Sequence, residues 1–110
     1  MSDFKDTAKI FEALSSTPRR LMLNYLSTTS LTSGELAEKF DMSRPALSKH
    51  LKVLENAGLV ESSKQGQYVY YTITKDNLIN TLVNFAANFC PQGSLLKKES
   101  QRIKNNKANK

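Results

Sequence analysis

The clearest chemical pattern in the sequence is a set of hydrogen-bond donors within residues 43–60. Read as a helix, this stretch has a first turn and one side made of short, polar or cationic residues: Ser43, Arg44, Pro45, Ser48, Lys49 and Lys52. Arginine and serine can bond to base edges in the major groove of DNA, and lysine pairs with phosphates. The pattern predicts a DNA-contacting face with Arg44 and Ser48 on bases, although a small basic cluster is also typical of solvated surface.

The opposite side of this helix is apolar. Leu47, Leu51 and Leu54 recur at spacings of four and three, which places them on one face. Ser43 can cap the first turn, and Gly58 ends the helix because a left-handed closing residue is least strained as glycine. The sequence therefore predicts a helix that packs by its leucines and exposes its donors.

The segment before this helix predicts the first half of a helix-turn-helix. Thr32 and Glu35 have the spacing of a capping box, and a short helix continues from them to Phe40. A tight turn at residues 41 and 42 then leads into the basic helix. A short helix, a tight turn and a second helix with basic outer residues are typical of this DNA-binding motif.

The segment after Gly58 predicts a β-hairpin. Residues 59–61 begin one strand, and residues 68–73 are β-branched or aromatic at nearly every position. The polar residues at the tip are Lys64, Gln65 and Gln67. They are free to reach the DNA backbone or a minor groove, as the wing of a winged helix does. The alternative is a plain hairpin that covers the core through Val69, Tyr71 and Ile73.

Three more helices are predicted around this unit. Residues 3–14 form an amphipathic first helix, Thr17 caps the second, and Thr74 caps the last. The predicted buried side of the second helix is Leu21, Met22, Tyr25 and Leu26. Arg19 and Arg20 on its first turn are expected to be solvated or paired with acids of the first helix, and a contact with DNA is the alternative. The fold class is thus mainly α with a small hairpin, about five helices and a two-stranded wing.

The positive charge is concentrated at the C-terminal end. The chain carries a net charge of +6, of which residues 94–110 hold six cations against one acid. We therefore expect a DNA-binding and dimerisation domain over residues 1–93 and a basic, disordered tail over residues 94–110. No apolar run approaches the roughly 18 residues that span a bilayer, and the start lacks an export signal. With its single cysteine, Cys90, the sequence predicts a cytoplasmic protein.

Three stretches together resemble one protein family. They read STPRRLMLNYL, MSRPALSKHLKVLENAGLV and KQGQYVYYTI. In this order, over roughly residues 4–90, the chain resembles the ArsR-type winged-helix repressors, and the central string is quite specific for that family. Within the family, the chain resembles the short autorepressors of the sporulation-delay type, which lack a metal site. The resemblance implies a homodimeric transcriptional repressor of an inverted-repeat DNA operator.

In that family the first and last helices form the dimer interface. The resemblance therefore implies that a second copy covers apolar residues of these helices: Phe4, Thr7, Phe11, Leu78, Leu82, Phe85 and Phe89. The apolar side of the last helix is also wider than one core face requires, which favours this arrangement. For Phe4 and Phe11 the sequence alone leaves a choice between the core and a partner.

Metal-sensing members of the family carry a Cys-x-Cys-type motif in the helix that precedes the basic, DNA-contacting helix, or paired Asp/His and His/Glu ligands on the last helix. The first location here reads GELAEKF, and the last helix offers only Asp76 and Cys90. Tight transition-metal sites need three or four soft or imidazole ligands, whereas this chain has one cysteine and one histidine. We expect no metal and no cofactor.

The single histidine and the single cysteine each have two interpretations. His50 lies at the edge of the leucine face, so a structural hydrogen bond is expected rather than pH sensing or a DNA contact. Cys90 lies near the end of the last helix, where the dipole disfavours a thiolate. It is expected to be a small, semi-buried apolar residue, and a redox switch is the alternative.

An enzymatic function is not expected. The four glycines are scattered, so no phosphate-cradling loop exists, and a catalytic histidine would have to be His50 within the DNA-reading element. Two non-enzymatic functions stay open beside a plain repressor: an effector- or redox-responsive regulator, and a winged-helix module that binds a protein. The basic outer face counts against the protein-binding module, because protein interfaces are depleted in lysine.

Overall fold

Six helices and a three-stranded antiparallel sheet form within the part of the chain that the computed structural model describes, residues 3–89 and 95–108. Side chains are described over residues 7–89 and 98–108. In chain order the elements are α1 (Asp3–Leu14), α2 (Thr17–Tyr25), β1 (Leu31–Thr32), α3 (Ser33–Ala37), α4 (Arg44–Asn56), β2 (Val60–Gln65), β3 (Tyr68–Ile73), α5 (Lys75–Ala87) and α6 (Leu95–Ala108). This architecture confirms the predicted fold class and adds a sixth helix and a third strand.

Two compact units divide the chain, Met1–Leu78 and Ile79–Lys110. The first contains the helix-turn-helix, formed by α3 and α4, and the hairpin of β2 and β3. The domain boundary predicted after residue 93 stays a prediction.

Side-chain caps begin the helices of the first unit. The hydroxyl oxygen of Ser16 accepts a hydrogen bond from the amide three residues later, so Ser16 caps α2. The prediction of Thr17 is wrong because Ser16 has the extended backbone of a cap, whereas Thr17 is already helical. The capping box of Thr32 and Glu35 is confirmed, with both reciprocal hydrogen bonds formed. Ser43 caps α4 as predicted.

The core of the first unit is built from aliphatic side chains. Its buried members are Ile10, Ala13, Met22, Leu23, Leu26, Leu36, Leu47, Leu51, Leu54, Ala57, Leu59 and Val60. In α2, the predicted positions Leu21 and Tyr25 are 45 % and 43 % exposed, and Leu23 is buried instead. The helix turns the side with Met22 and Leu26 toward the core. Leu21 and Tyr25 each lie one position earlier in the helix, so they are turned partly toward solvent. Tyr25 packs edge-on against Phe40, with ring centroids 5.6 Å apart.

The sheet has β3 at its centre, with β1 and β2 on either side. The β2–β3 hairpin pairs from Val60 and Ile73 to Gln65 and Tyr68, and Gly66 turns the chain with a φ of +65°. The sequence pattern does not predict strand β1, since it has only two residues. Tyr71 and Ile73 pack against the core, as a plain hairpin would place them.

The interpretation of Val69 as a core residue is wrong. Its side chain is 39 % exposed, because it lies opposite Lys64 near the tip of the hairpin, beyond the end of the core. The outer part of the hairpin therefore projects from the domain as a wing should, while its base packs inside.

Helix α5 follows Thr74, but the predicted cap does not form. The amide of Thr74 donates to the carbonyl of Leu59 at 2.8 Å, whereas its buried hydroxyl oxygen has no hydrogen-bond partner among the described residues. Asn77 Nδ2 donates to the carbonyl of Gly58 at 2.6 Å, which joins the start of α5 to the end of α4. Gly58 has a φ of +76°, so the glycine is required there.

The tail differs from its prediction over Leu95–Ala108, which forms α6. Leucine, lysine, glutamate, glutamine and arginine favour a helix, and pairs one turn apart support it. Arg102 and Glu99 form a salt bridge of 2.9 Å, and Gln101 donates to Asn105 at 3.3 Å. The expectation of disorder is thus wrong for these residues, because helix propensity outweighs the scarcity of apolar side chains.

Candidate nucleic-acid interface

Helix α4 separates an apolar face from a polar one. Leu47, Leu51 and Leu54 are at most 1 % exposed, which fixes the helix against the core. All residues predicted for the DNA-contacting side are exposed, namely Ser43, Arg44, Pro45, Ser48, Lys49 and Lys52. The core thus holds a rigid helix that presents donors and cations to solvent.

The start of α4 lies beside the start of α3. Arg44 Nη2 donates to the hydroxyl oxygen of Ser33 at 3.4 Å, which directs the guanidinium along the protein surface. Arg44 and Ser33 line one shallow depression together with Gln67, Tyr68 and Val69 of the hairpin. The helix-turn-helix and the outer part of the wing therefore share one continuous surface.

The wing carries its polar residues at the tip. Lys64, Gln65 and Gln67 are all exposed, as predicted, and Gly66 lies between them. Tyr68 is 54 % exposed in the same region but is absent from the predicted site, since its strand reads as a run of apolar residues. The signal for its exposure is its position directly beside the turn, where no core remains to cover it.

The acid at the end of α4 is turned toward the base of the wing. Glu55 Oε2 accepts a hydrogen bond of 2.7 Å from the hydroxyl of Ser62 on β2. Burial, and next the charge of Glu55, raise the pKa of the Tyr71 phenol. The carboxylate of Glu55 is therefore hydrogen-bonded to the wing of its own chain. The first three turns of the outer α4 face carry only cations and neutral groups.

His50 lies between the two faces of α4, half-buried. Its Nδ1 is 3.2 Å from Nη1 of Arg19 on α2, which confirms the expected structural hydrogen bond. Burial, and next the charge of Arg19, lower the pKa of His50 below the ordinary 6.5. Arg20 is exposed, as predicted, and Arg19 is half-buried, but the expected pairing with acids of α1 is replaced by other contacts. Both bond to main-chain carbonyls at the end of α1, where the helix leaves its last oxygens unpaired.

The residues predicted for a dimer interface have different environments. Thr7, Phe11 and Leu78 are half-buried, and Leu78 packs against the core. On α5 the exposed fractions are 41 % for Leu82 and 49 % for Phe85, with Ile79 and Val83 at 52 % and 59 %. Phe89, just after the end of α5, is 66 % exposed. The side chain of Phe4 and the whole of Cys90 lie outside the described residues.

The described residues also bear on metal binding and membrane insertion. Among them, no group of three or more His, Cys, Asp or Glu side chains is placed to hold a metal ion. No helix in this part of the chain has the length and apolar character needed to cross a membrane.

Known proteins with this sequence pattern are transcriptional regulators. The family profile described as "Bacterial regulatory protein, arsR family" matches residues 16–62. The transcriptional repressor SdpR of Bacillus subtilis (strain 168) is 32 % identical over 84 residues, which cover 76 % of this chain and 92 % of the repressor. The transcriptional activator HlyU of Vibrio cholerae serotype O1 is 36 % identical over 73 residues, which cover 64 % of this chain and 68 % of the activator.

A solved structure is similar over nearly the whole chain. It is an ArsR-like transcriptional regulator from Rhodococcus sp. RHA1, with a TM-score of 0.75 and 27 % sequence identity. The match covers 98 % of this chain and 95 % of the other, so it extends past the helix-turn-helix and the wing.

Proposed function

This chain belongs to the ArsR family of bacterial transcriptional regulators, and we propose that it is a homodimeric repressor that binds an inverted-repeat DNA operator without a metal effector. Repression follows from occupation of the promoter, which includes the promoter of its own gene. The proposed site of action is the cytoplasm.

The observation that carries this proposal is the division of α4 into a buried leucine face and an exposed donor face. A helix held in this way can enter a major groove without losing its own packing. We assign Arg44 and Ser48 to base edges, because a guanidinium fits guanine O6 and N7 and a hydroxyl can serve several bases. The remaining proposed contacts are to the backbone or the adjacent minor groove, from Ser43, Pro45, Lys49, Lys52, Lys64, Gln65 and Gln67.

The exposed apolar side chains of α5 support a dimer. Ile79, Leu82 and Val83 are all more than 40 % exposed on one helix, more than a small domain usually leaves in water. The dimer contacts that we propose remain Phe4, Thr7, Phe11, Leu78, Leu82, Phe85 and Phe89. A two-fold dimer places its two α4 helices in successive major grooves, about 34 Å apart.

We propose that DNA binding needs no metal, because the whole sequence offers few residues that could bind one. One cysteine and one histidine do not supply the three or four ligands of a transition-metal sensor. The relatives with named functions are regulators rather than enzymes, and we propose no catalytic activity. Because they include an activator as well as a repressor, the direction of regulation has to be measured on transcription itself.

The test is a titration of the full chain, with chelator present, against two duplexes. One comes from the region upstream of its own gene, and the other is a scrambled duplex of the same composition. The series is run at several salt concentrations, because phosphate contacts make affinity salt-dependent. Sedimentation of the protein and of its complex gives the stoichiometry, and transcription in vitro from the same promoter gives the direction of regulation.

We expect a clear preference for the native duplex near physiological salt, two chains per duplex and less transcript. Equal and steeply salt-sensitive binding to both duplexes would contradict an autorepressor. One chain per duplex would contradict the dimer, and a gain of transcript would replace repression by activation.

A further inference from the structure

Arg19 joins three helices through one guanidinium. From its place near the start of α2, Nε donates to the carbonyl of Ala13 at 2.7 Å, and Nη2 donates to the carbonyl of Glu12 at 3.1 Å. Both acceptors lie in the last turn of α1. Nη1 meets Nδ1 of His50 on α4 at 3.2 Å. We call this group of contacts the Arg19–His50 junction.

The chemistry of the guanidinium determines the protonation state of the histidine. Arginine has five N–H donors, no acceptor, and a charge that it keeps at any physiological pH. The contact is therefore a hydrogen bond only if Nδ1 of His50 carries no proton, which makes the ring neutral with its hydrogen on Nε2. A proton on Nδ1 would remove the acceptor and set two cations against each other at this distance.

His50 belongs to the same helix that is proposed to enter the major groove. It lies between Leu47 and Leu51, which anchor α4, and next to Lys49 on the outer side. Whatever moves His50 relative to α1 also moves the donor face. The junction is thus a direct link between the end of α1 and the DNA-contacting helix.

The other charges around His50 are few. Lys9 and Glu12 of α1 line a depression beside Val53 and Asn56 of α4, and Arg20 of α2 is bonded to the end of α1. On α4 itself the neighbouring charges are Lys49 and Lys52. Glu12 is the single acid among these groups, so the surroundings of His50 are mainly cationic.

We propose that Arg19 and His50 are positioning residues, which hold α4 at the angle that fits the operator only while His50 is neutral. This inference rests on the proposed function and adds a pH dependence to it. The lowered pKa of His50 agrees with a ring that resists protonation in the folded state. His50 is the single histidine of the chain, so no other side chain has an ordinary pKa between about 5 and 8.

The sign of the pH effect separates positioning from simple charge. A proton added anywhere near DNA increases the attraction to phosphates, so an ordinary histidine would tighten binding as the pH falls. Loss of the junction does the opposite. We therefore expect the wild-type protein to lose operator affinity between pH 7.5 and pH 5.5, at constant ionic strength. The loss is at most about tenfold, because a ring with a pKa below 6.5 is at most about nine-tenths protonated at pH 5.5.

Two substitutions of His50 isolate the hydrogen bond. In His50→Asn the amide oxygen lies close to the former position of Nδ1, so it accepts from Arg19 but does not titrate. In His50→Ala the acceptor is lost. The probe is the duplex that the full chain selects from a random-sequence library, with a scrambled duplex as reference, and the readout is fluorescence anisotropy. Circular dichroism at both pH values verifies the fold of each variant.

We expect His50→Asn to bind like the wild type at pH 7.5 and to remain unchanged at pH 5.5. His50→Ala should be weaker by about tenfold at both values. The proposal is overturned if the wild-type protein binds equally or more tightly at pH 5.5, or if His50→Ala keeps full affinity.

Nitrogen-15 NMR of His50 is a second test of the junction, and it needs no DNA. We expect the Nε2–H tautomer and a titration midpoint below 6.5, and the Nδ1–H tautomer would overturn the junction. If the chain selects no duplex at all, the proposed function fails while this spectrum still decides whether the junction exists.

Discussion

Helices α4 and α5 have the same length and opposite burial. Each spans 13 residues and carries apolar side chains at helical spacing. In α4 the three leucines are at most 1 % exposed, whereas α5 has no buried residue and leaves Leu82 and Val83 at 41 % and 59 %. An apolar stripe therefore does not by itself identify core, because what covers it decides its role.

The width of the stripe distinguishes the two helices. In α4 the apolar face is narrow, and cationic and hydroxyl side chains occupy the opposite face. In α5 isoleucine, valine and phenylalanine widen the apolar side beyond one contact face. We interpret α4 as complete within its own chain and α5 as completed by a second copy.

The largest effect is expected from the buried stripe. Leu51→Ala removes a side chain that is 1 % exposed and leaves a cavity in the core, so the free energy of unfolding should fall by about 2–5 kcal/mol. Urea denaturation followed by circular dichroism measures this free energy.

The matched substitution on α5 is Val83→Ala, measured at a protein concentration low enough to keep the chain monomeric. It should cost less than about 1 kcal/mol, because the side chain is already 59 % exposed. Equal losses for the two variants would remove the distinction between the helices.

The second effect concerns association. Leu82→Glu places a charge at an exposed apolar position of α5, where the proposed partner would bury it. We expect dimerisation to weaken by about 2 kcal/mol or more, roughly thirtyfold in the dissociation constant, as measured by sedimentation. Asn84→Glu adds the same charge at a polar position nearly opposite on the helix, and it should leave the dimer intact. If both variants dimerise like the wild type, α5 is not the interface.

Local patterns are enough to predict the helix-turn-helix. Each of its features depends on residues within about one turn of one another, such as the capping box of Thr32 and Glu35 or the leucines of α4. The wing likewise needs only a run of β-branched and aromatic residues and a glycine at its turn. This is why the positions of the exposed donors on α4 can be predicted from the sequence.

Features that join distant parts of the chain cannot be predicted in this way. Strand β1 has two residues and forms only because β3 offers a free edge. Two of the three acceptors of Arg19 are main-chain oxygens, which leave no trace in the residue types. In the same way, the exposure of Arg44 or Lys52 does not tell which base or phosphate each one meets, because that depends on the DNA.

The third effect tests the assignment of bases on the donor face. Arg44→Ala should cost about 1–3 kcal/mol on the operator and relax the preference at one base pair. Arg44→Lys is the matched variant, since it keeps the charge but loses the planar fork that can bond to guanine twice. We expect it to recover general affinity without recovering the preference, in titrations against operators with single base changes. If Arg44→Ala discriminated operators as the wild type does, Arg44 would be a phosphate contact instead, in line with its position beside Ser33.

The smallest effect separates phosphate contacts from base contacts on the same face of α4. Lys52→Ala should weaken binding to operator and scrambled duplexes by similar factors, because a phosphate carries no sequence information. One lost phosphate contact should also make the slope of log affinity against log salt shallower by about 0.9. Lys9→Ala removes the same charge from an exposed position on α1, outside the donor face, and should leave that slope nearly unchanged. An equal change of slope in both variants would mean that only net charge matters. A loss of preference in Lys52→Ala would instead extend base reading beyond the first two turns of α4.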